Sequence, residues 1–224
     1  MGNIVYRKIL STEPVEDYLV GVLTEKLLDN KKVLWLVPGG SAMKVVAAVS
    51  RDLAIENLAN LTVTLTDERY GPVGHKDSNW PQLEAAGFKL EGASLQPVLI
   101  DKDLEETTKA FAETLTDDLF NADYSLALIG MGPDGHICGI KPGSPDIDSD
   151  KLTQGYKGDD FTRITTTGQL LKRLDEIVVY AVGQEKWPQL DNLDKDINPN
   201  NQPAQLLKQA KSVIIFNDHK GDAG

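Results

Sequence analysis

The sequence has one cysteine, Cys138, in 224 residues, so no disulfide can form within the chain, which suits a reducing compartment. Histidine is also scarce. His75, His136 and His219 lie far apart, none has a helical histidine partner at metal-ligand spacing, and catalytic zinc is not indicated. Long apolar runs are missing as well. The run in MGNIVYRKIL is short for a signal peptide and is interrupted by Arg7 and Lys8, and no later stretch reaches the ~20 apolar residues of a membrane span. Basic residues are outnumbered, with 23 Lys and Arg against 34 Asp and Glu for a net charge of -11. That balance opposes nucleic-acid binding, which needs clustered cations to release counterions from phosphates. No Gly-x-Ser-x-Gly elbow and no Walker pattern occurs. The expectation is a cytoplasmic protein without membrane or nucleic-acid partners, whose anionic ligands, if any, need a few well-placed basic residues.

What is present fits one domain, residues 1–224: 41% hydrophobic and 25% charged residues suffice for a single core. Val15, Leu19, Val22, Leu23 and Leu27 recur at helical spacing after Ser11, Thr12 and Pro14, so the chain is expected to open with a helix. Short apolar runs follow at VLWLV (33–37), LTVTLT (61–66), LALIG (126–130), EIVVYAVG (176–183) and SVIIF (212–216), separated by helical stretches near 42–54, 103–121 and from 184. Apolar strands alternating with helices predict a three-layer α/β fold with a mostly parallel sheet. Ligands then sit beyond the carboxyl ends of the strands, at the turns after residues 37, 66, 129 and 182. Residues 143–160, rich in Gly, Ser and Asp, read as a long loop, either a lid or surface filler.

Each of those turns carries candidate chemistry. Pro38-Gly39-Gly40-Ser41 is either a tight turn capped by Ser41 or a cradle whose backbone amides and helix start receive an anion. Asp67-Glu68-Arg69-Tyr70 is either a solvated charged turn or a site where Arg69 holds phosphate and Asp67 orients or deprotonates a substrate. Gly130-Met131-Gly132-Pro133-Asp134-Gly135-His136 frees the backbone to bend around a ligand, with Asp134 placed to hold the His136 imidazole. Imidazoles ordinarily titrate near 6.5, so a histidine can take a proton from water at neutral pH. Arg163 and Lys186 are the remaining basic residues with positions suited to clamping a phosphate. A thiol nucleophile at Cys138 is disfavoured, because free cysteines are usually buried and a nucleophile rarely lies two residues from its base.

Taken in order, PGGS (38–41), DERY with DSN downstream (67–70, 77–79), GMGPDGH (130–136), RITTT (163–167) and GQEK (183–186) resemble the 6-phosphogluconolactonase and glucosamine-6-phosphate deaminase family, on its lactonase branch, over about residues 33–216. The resemblance implies a Rossmann-like α/β/α fold shared with ribose-5-phosphate isomerase and CoA transferases, no cofactor, and a sugar-phosphate substrate for a monomer or small homo-oligomer. It implies hydrolysis of 6-phosphoglucono-1,5-lactone to 6-phosphogluconate in the oxidative pentose phosphate pathway. Gly39, Gly40, Ser41, Arg163 and Lys186 would hold the phosphate, Arg69 would contact phosphate or substrate, and His136 with Asp134 would act on the lactone. Asp67 matches the deaminases' proton-abstracting Asp.

The chain departs from the lactonase pattern at Cys138-Gly139-Ile140-Lys141-Pro142, where Ser-Leu-Phe-Pro is usual, and at Gly71-Pro72, where Val-Pro is usual. Deaminases carry a Glu shortly after the histidine, whereas the first acid here is Asp146, which weighs against deamination or aldose-ketose isomerisation. A non-catalytic sugar-phosphate sensor of the kind found in transcriptional regulators would need a DNA-binding module, and the ~32 residues before the first expected strand read as acidic and helical rather than helix-turn-helix.

Overall fold

The computed structural model describes residues 3–145, 147 and 149–223; Asp146, the first acid after His136, lies outside them. In chain order the elements are β1 (Asn3–Lys8), α1 (Glu13–Leu28), β2 (Val33–Val37), α2 (Met43–Asp52), β3 (Leu61–Leu65), β4 (Asp67–Arg69), α3 (Asn79–Ala85), β5 (Ser94–Gln96), α4 (Leu104–Asn121), β6 (Tyr124–Gly130), β7 (Thr153–Lys157), β8 (Thr162–Thr166), α5 (Gly168–Arg173), β9 (Glu176–Ala181), α6 (Trp187–Asn192), β10 (Ser212–Asn217) and β11 (Asp222–Ala223). Eight strands form one sheet, ordered β11-β1-β10-β9-β6-β2-β3-β5, with every neighbouring pair parallel.

Parallel strands need crossovers, and these are right-handed, which divides the helices between the two faces. α1, α2 and α3 pack together on one side, and α4, α5 and α6 belong to the other, giving the expected three-layer α/β/α fold. β2 and β9 are buried along their whole length, which is why they read as unbroken apolar runs. Trp35 and Phe216 are the largest of the fully buried side chains. Among the described residues no helix is long and apolar enough to cross a membrane.

The chain does not open with a helix. β1 precedes α1 and pairs in parallel with β10, Asn3 opposite Ser212, so its partner lies at the other end of the sequence. Its half-buried Ile4 and Tyr6 alternate with exposed Val5 and Arg7, a period of two masked by Arg7 and Lys8. The expectation of a helical segment before the first strand is corrected accordingly. α1 does begin after Thr12 with its proline in the first turn, yet the Thr12 side chain makes no cap hydrogen bond.

Residues 143–160 are not one loop either. β7 occupies part of them and joins β8 and β4 in a second, antiparallel sheet ordered β4-β8-β7. These strands are polar (TQGYK, TRITT, DER), so no apolar run announced them. The small sheet is tied to the large one by the Thr166 N–H donating to the Thr66 carbonyl at 2.9 Å. It is tied to the loop after β6 by the Gly139 N–H donating to Thr165 Oγ1 at 2.9 Å and by Tyr156 Oη donating to the Gly139 carbonyl at 2.6 Å.

From β2 the large sheet grows through β3 and β5 on one side and through β6, β9 and β10 on the other. Loops leaving β2 and β6 therefore diverge, and a crevice opens between them at the carboxyl ends of the strands.

Candidate active site

That crevice is a cavity of about 450 Å³, and all four turns read from the sequence reach it. Gly39, Gly40, Ser41, Asp67, Arg69, His136, Arg163 and Lys186 all line it. Asp134 stands behind His136, its Oδ1 2.6 Å from His136 Nδ1. The nine candidate residues thus occupy one place in the fold.

The turn after β2 bends through Gly40, whose φ of 66° is in the left-handed region, into a 3-10 turn at residues 40–42 and then α2. Ser41 lies inside this turn rather than at a cap position, and it lines the cavity together with Gly39 and Gly40. A methyl group on Gly39 would stand 2.6 Å from the Asn79 side chain, so glycine is required for that close approach.

After β6 the backbone folds so that the Gly132 N–H donates to the His136 carbonyl at 2.9 Å. A Cβ on Gly132 would overlap the His136 ring, and Gly135 takes a φ of 80°. Asp134 Oδ1 also accepts the His136 N–H at 3.2 Å. Burial works to raise the Asp134 carboxyl, but the nearby imidazole and the hydrogen bonds from His136 outweigh it and hold the group below the usual carboxylate range. An ionised carboxylate only accepts, so the Nδ1 of a neutral His136 carries the proton and its Nε2 is left as a base.

The charged residues after β3 form β4 rather than a turn, and Glu68 among them is not solvated. Glu68 has no exposed surface and accepts the N–H groups of Arg69 and Asn79, each at 2.6 Å, that of Trp80 at 3.2 Å, and the Ser78 hydroxyl at 2.8 Å. It receives the first N–H groups of α3, and burial still pushes its carboxyl upward against those four donors. Asn79 Nδ2 in turn donates to the Asp67 carbonyl at 2.9 Å. Burial likewise pushes the Asp67 carboxyl up, opposed in part by the Thr66 hydroxyl and by the charges of His136, Arg163 and Arg69.

Lys186 enters through a 3-10 turn after β9 that Asp218 pins, accepting the Gly183 N–H at 3.2 Å and Trp187 Nε1 at 2.9 Å. Burial lowers the Lys186 pKa below the lysine value of 10.5. Arg163 lies on β8 directly opposite Arg69 on β4. Cys138 also faces the cavity, but burial, together with the charge of Asp67, pushes its thiol up to about 12, so the thiolate a nucleophile needs is scarce at neutral pH.

The motifs did not single out Lys141, Asp160, Phe161 or Glu185 as site residues, and all four line the cavity. Asn79 was named only within the DSN run. For Phe161 a signal existed: it is two residues from Arg163, one of the candidate cations.

The family described as Glucosamine-6-phosphate isomerases/6-phosphogluconolactonase matches residues 10–216. The chain belongs to that family. The match begins well before residue 33, where the resemblance carried by the motifs starts. A 6-phosphogluconolactonase of Caulobacter vibrioides is 28% identical over 210 residues, covering 88% of this chain and 87% of that protein. The crystal structure of a 6-phosphogluconolactonase from Shewanella baltica superposes with a TM-score of 0.82 at 19% identity, covering 96% of this chain and 97% of the other. A monomeric glucosamine-6-phosphate deaminase superposes with a TM-score of 0.77 at 18% identity over 97% of each chain. Both branches of the family therefore share this fold, and the choice between them rests on the site.

Proposed function

We propose that this family member hydrolyses 6-phosphoglucono-1,5-lactone to 6-phosphogluconate, without a cofactor and in the cytoplasm, as a monomer or small homo-oligomer. The observation that carries the reading is the His136–Asp134 pair, 2.6 Å apart, facing a cavity also lined by the Gly39-Gly40-Ser41 turn, Arg163 and Lys186. The lactonase names of the curated relatives support the same choice.

The sugar phosphate is held by the backbone of Gly39 and Gly40, the Ser41 hydroxyl and the two cations, with Arg69 contacting phosphate or sugar. His136 Nε2 takes a proton from water as its oxygen attacks C1, and the carbonyl becomes a tetrahedral oxyanion. Asp134 holds the imidazole and stabilises the imidazolium that forms. Collapse breaks the bond from C1 to the ring oxygen, which receives the proton from His136; the new carboxylic acid then loses its proton to solvent. Residues 137–145 contain no Asp or Glu, so the acid that follows the histidine in deaminases has no counterpart there.

The direct test is the hydrolysis rate of freshly generated 6-phosphogluconolactone above the spontaneous background, run beside ammonia release from glucosamine 6-phosphate. Acceleration of the first without the second is expected; ammonia release, or no acceleration, overturns the reading.

Lys186 gives the site an alkaline limit. A lysine holds an anion only while protonated, so a lowered pKa keeps this contact below the lysine's pKa and loses it as pH rises, earlier than for an ordinary lysine at 10.5. Affinity for the stable product 6-phosphogluconate should fall along that limb, and Lys186→Arg should abolish the fall because a guanidinium does not titrate there. The same limb in Lys186→Arg would remove Lys186 from the phosphate site.

A further inference from the structure

Asp160 makes four contacts at the cavity wall. Its Oδ1 accepts Arg163 NH1 at 2.5 Å and the Phe161 N–H at 2.9 Å; its Oδ2 accepts Arg163 NH2 and Lys141 Nζ, each at 2.8 Å. The Arg163 side chain is 10% exposed, so its charge needs a partner held in good geometry. NH1 spends its second hydrogen on the Phe161 carbonyl at 3.2 Å. Among the described residues the Nε–H and one NH2 hydrogen have no partner, and together they form the side-on edge of the guanidinium.

Arg163 also lies opposite Arg69 across β4 and β8, and like charges in that position repel. The Phe161 ring stands against both, its centroid 4.5 Å from the Arg69 guanidinium carbon and 5.5 Å from that of Arg163. An aromatic face attracts each cation, which offsets their repulsion and fixes their planes.

We propose that Asp160, anchored by Lys141 and assisted by Phe161, is a positioning residue that occupies the end-on edge of Arg163 and turns its side-on edge to the substrate phosphate. This rests on the reading of Arg163 as a phosphate ligand. The competing role for a carboxylate in this place is that of an internal anion which the phosphate must displace. Displacement would break every one of the four contacts, whereas the positioning arrangement keeps them all. The hydrogen bonds from Arg163 and Lys141 hold the Asp160 carboxyl far below the usual range, as four donors on one anion require.

The two roles predict opposite signs. Removing an anion from a phosphate site strengthens binding by simple charge, and removing a competitor strengthens it further; removing a positioning group weakens it. Inorganic phosphate and 6-phosphogluconate should be titrated calorimetrically at fixed ionic strength into wild type, Asp160→Ala, Asp160→Asn, Arg163→Ala and the Asp160→Ala/Arg163→Ala double variant. Expected are about tenfold weaker binding in Asp160→Ala, a smaller loss in Asp160→Asn, and no further loss when Asp160→Ala is added to Arg163→Ala. In turnover, KM should rise with kcat within about twofold, since the partners of Asp160 are Arg163, Lys141 and Phe161 rather than His136 or Asp134. Tighter or unchanged binding in Asp160→Ala, with Arg163→Ala weakened, overturns the positioning role alone. Unchanged binding in Arg163→Ala overturns the phosphate reading of Arg163, and the positioning role with it.

Discussion

His136→Ala is expected to lower the turnover of 6-phosphogluconolactone by about 100-fold or more while leaving the protein folded and its affinity for 6-phosphogluconate nearly intact. The ring lies on the cavity wall, one-third exposed, so its removal opens no void in the core. What is lost is the only imidazole lining the cavity among the described residues, and with it the group that takes the water proton and returns it to the ring oxygen. Phosphate binding is assigned to other side chains, so kcat should carry the loss and KM should hardly move. Asp134→Asn gives the companion result. An amide oxygen can still accept from Nδ1, but the charge that stabilises the imidazolium is gone and the amide NH2 can favour the wrong tautomer, so a large drop in kcat is expected here too. A His136→Ala variant with full turnover would assign the base elsewhere, and Asp67, whose carboxyl burial pushes upward, would be examined next.

Much of this site was legible in the sequence because its signals are local. Glycine clusters, a charged turn at a strand end and a histidine two residues after an aspartate each state their chemistry within a few positions. Four fully apolar or nearly apolar runs then fixed where the turns had to lie, since parallel strands buried on both faces cannot hide. Where the reading failed, the interaction joined distant positions. β1 exists because Asn3–Lys8 finds β10 some two hundred residues later, and nothing within the first ten residues records that. The small sheet of β4, β8 and β7 has polar strands, one face meeting the loop after β6 and the cavity, so its hydrophobic pattern is weak. Asp160 is anchored by Lys141, 19 positions away, and a motif search treats each as a surface charge. Glu68 was grouped with a turn that either solvates its charges or uses them; it does neither, because α3 begins directly above it.

That burial makes Glu68→Ala the change with the largest expected effect on stability. Four donors would lose their acceptor at once: the N–H groups of Arg69, Asn79 and Trp80 and the Ser78 hydroxyl. An unpaired buried donor costs about 1–3 kcal/mol, and some of these groups will recover water through the cavity, so a total near 4 kcal/mol is expected. For a chain of this size each kcal/mol lowers Tm by about 2–4 °C, which places the thermal transition roughly 10 °C lower. Activity should fall too, and more than the folded fraction does. Glu68 fixes the Arg69 backbone and the start of α3, and through Asn79 it fixes the Asp67 carbonyl, so loosening it displaces three cavity residues together. Glu68→Gln separates the two effects. Its amide keeps one acceptor oxygen and the same shape, so it should retain about half of the stability while its NH2 group, facing N–H donors, still disturbs Arg69 and Asn79. Calorimetric unfolding beside kcat and KM for both variants measures this. A Glu68→Ala protein that melts within 2–3 °C of wild type would mean that water reaches α3's first turn and that the carboxylate is not what holds the turn in place.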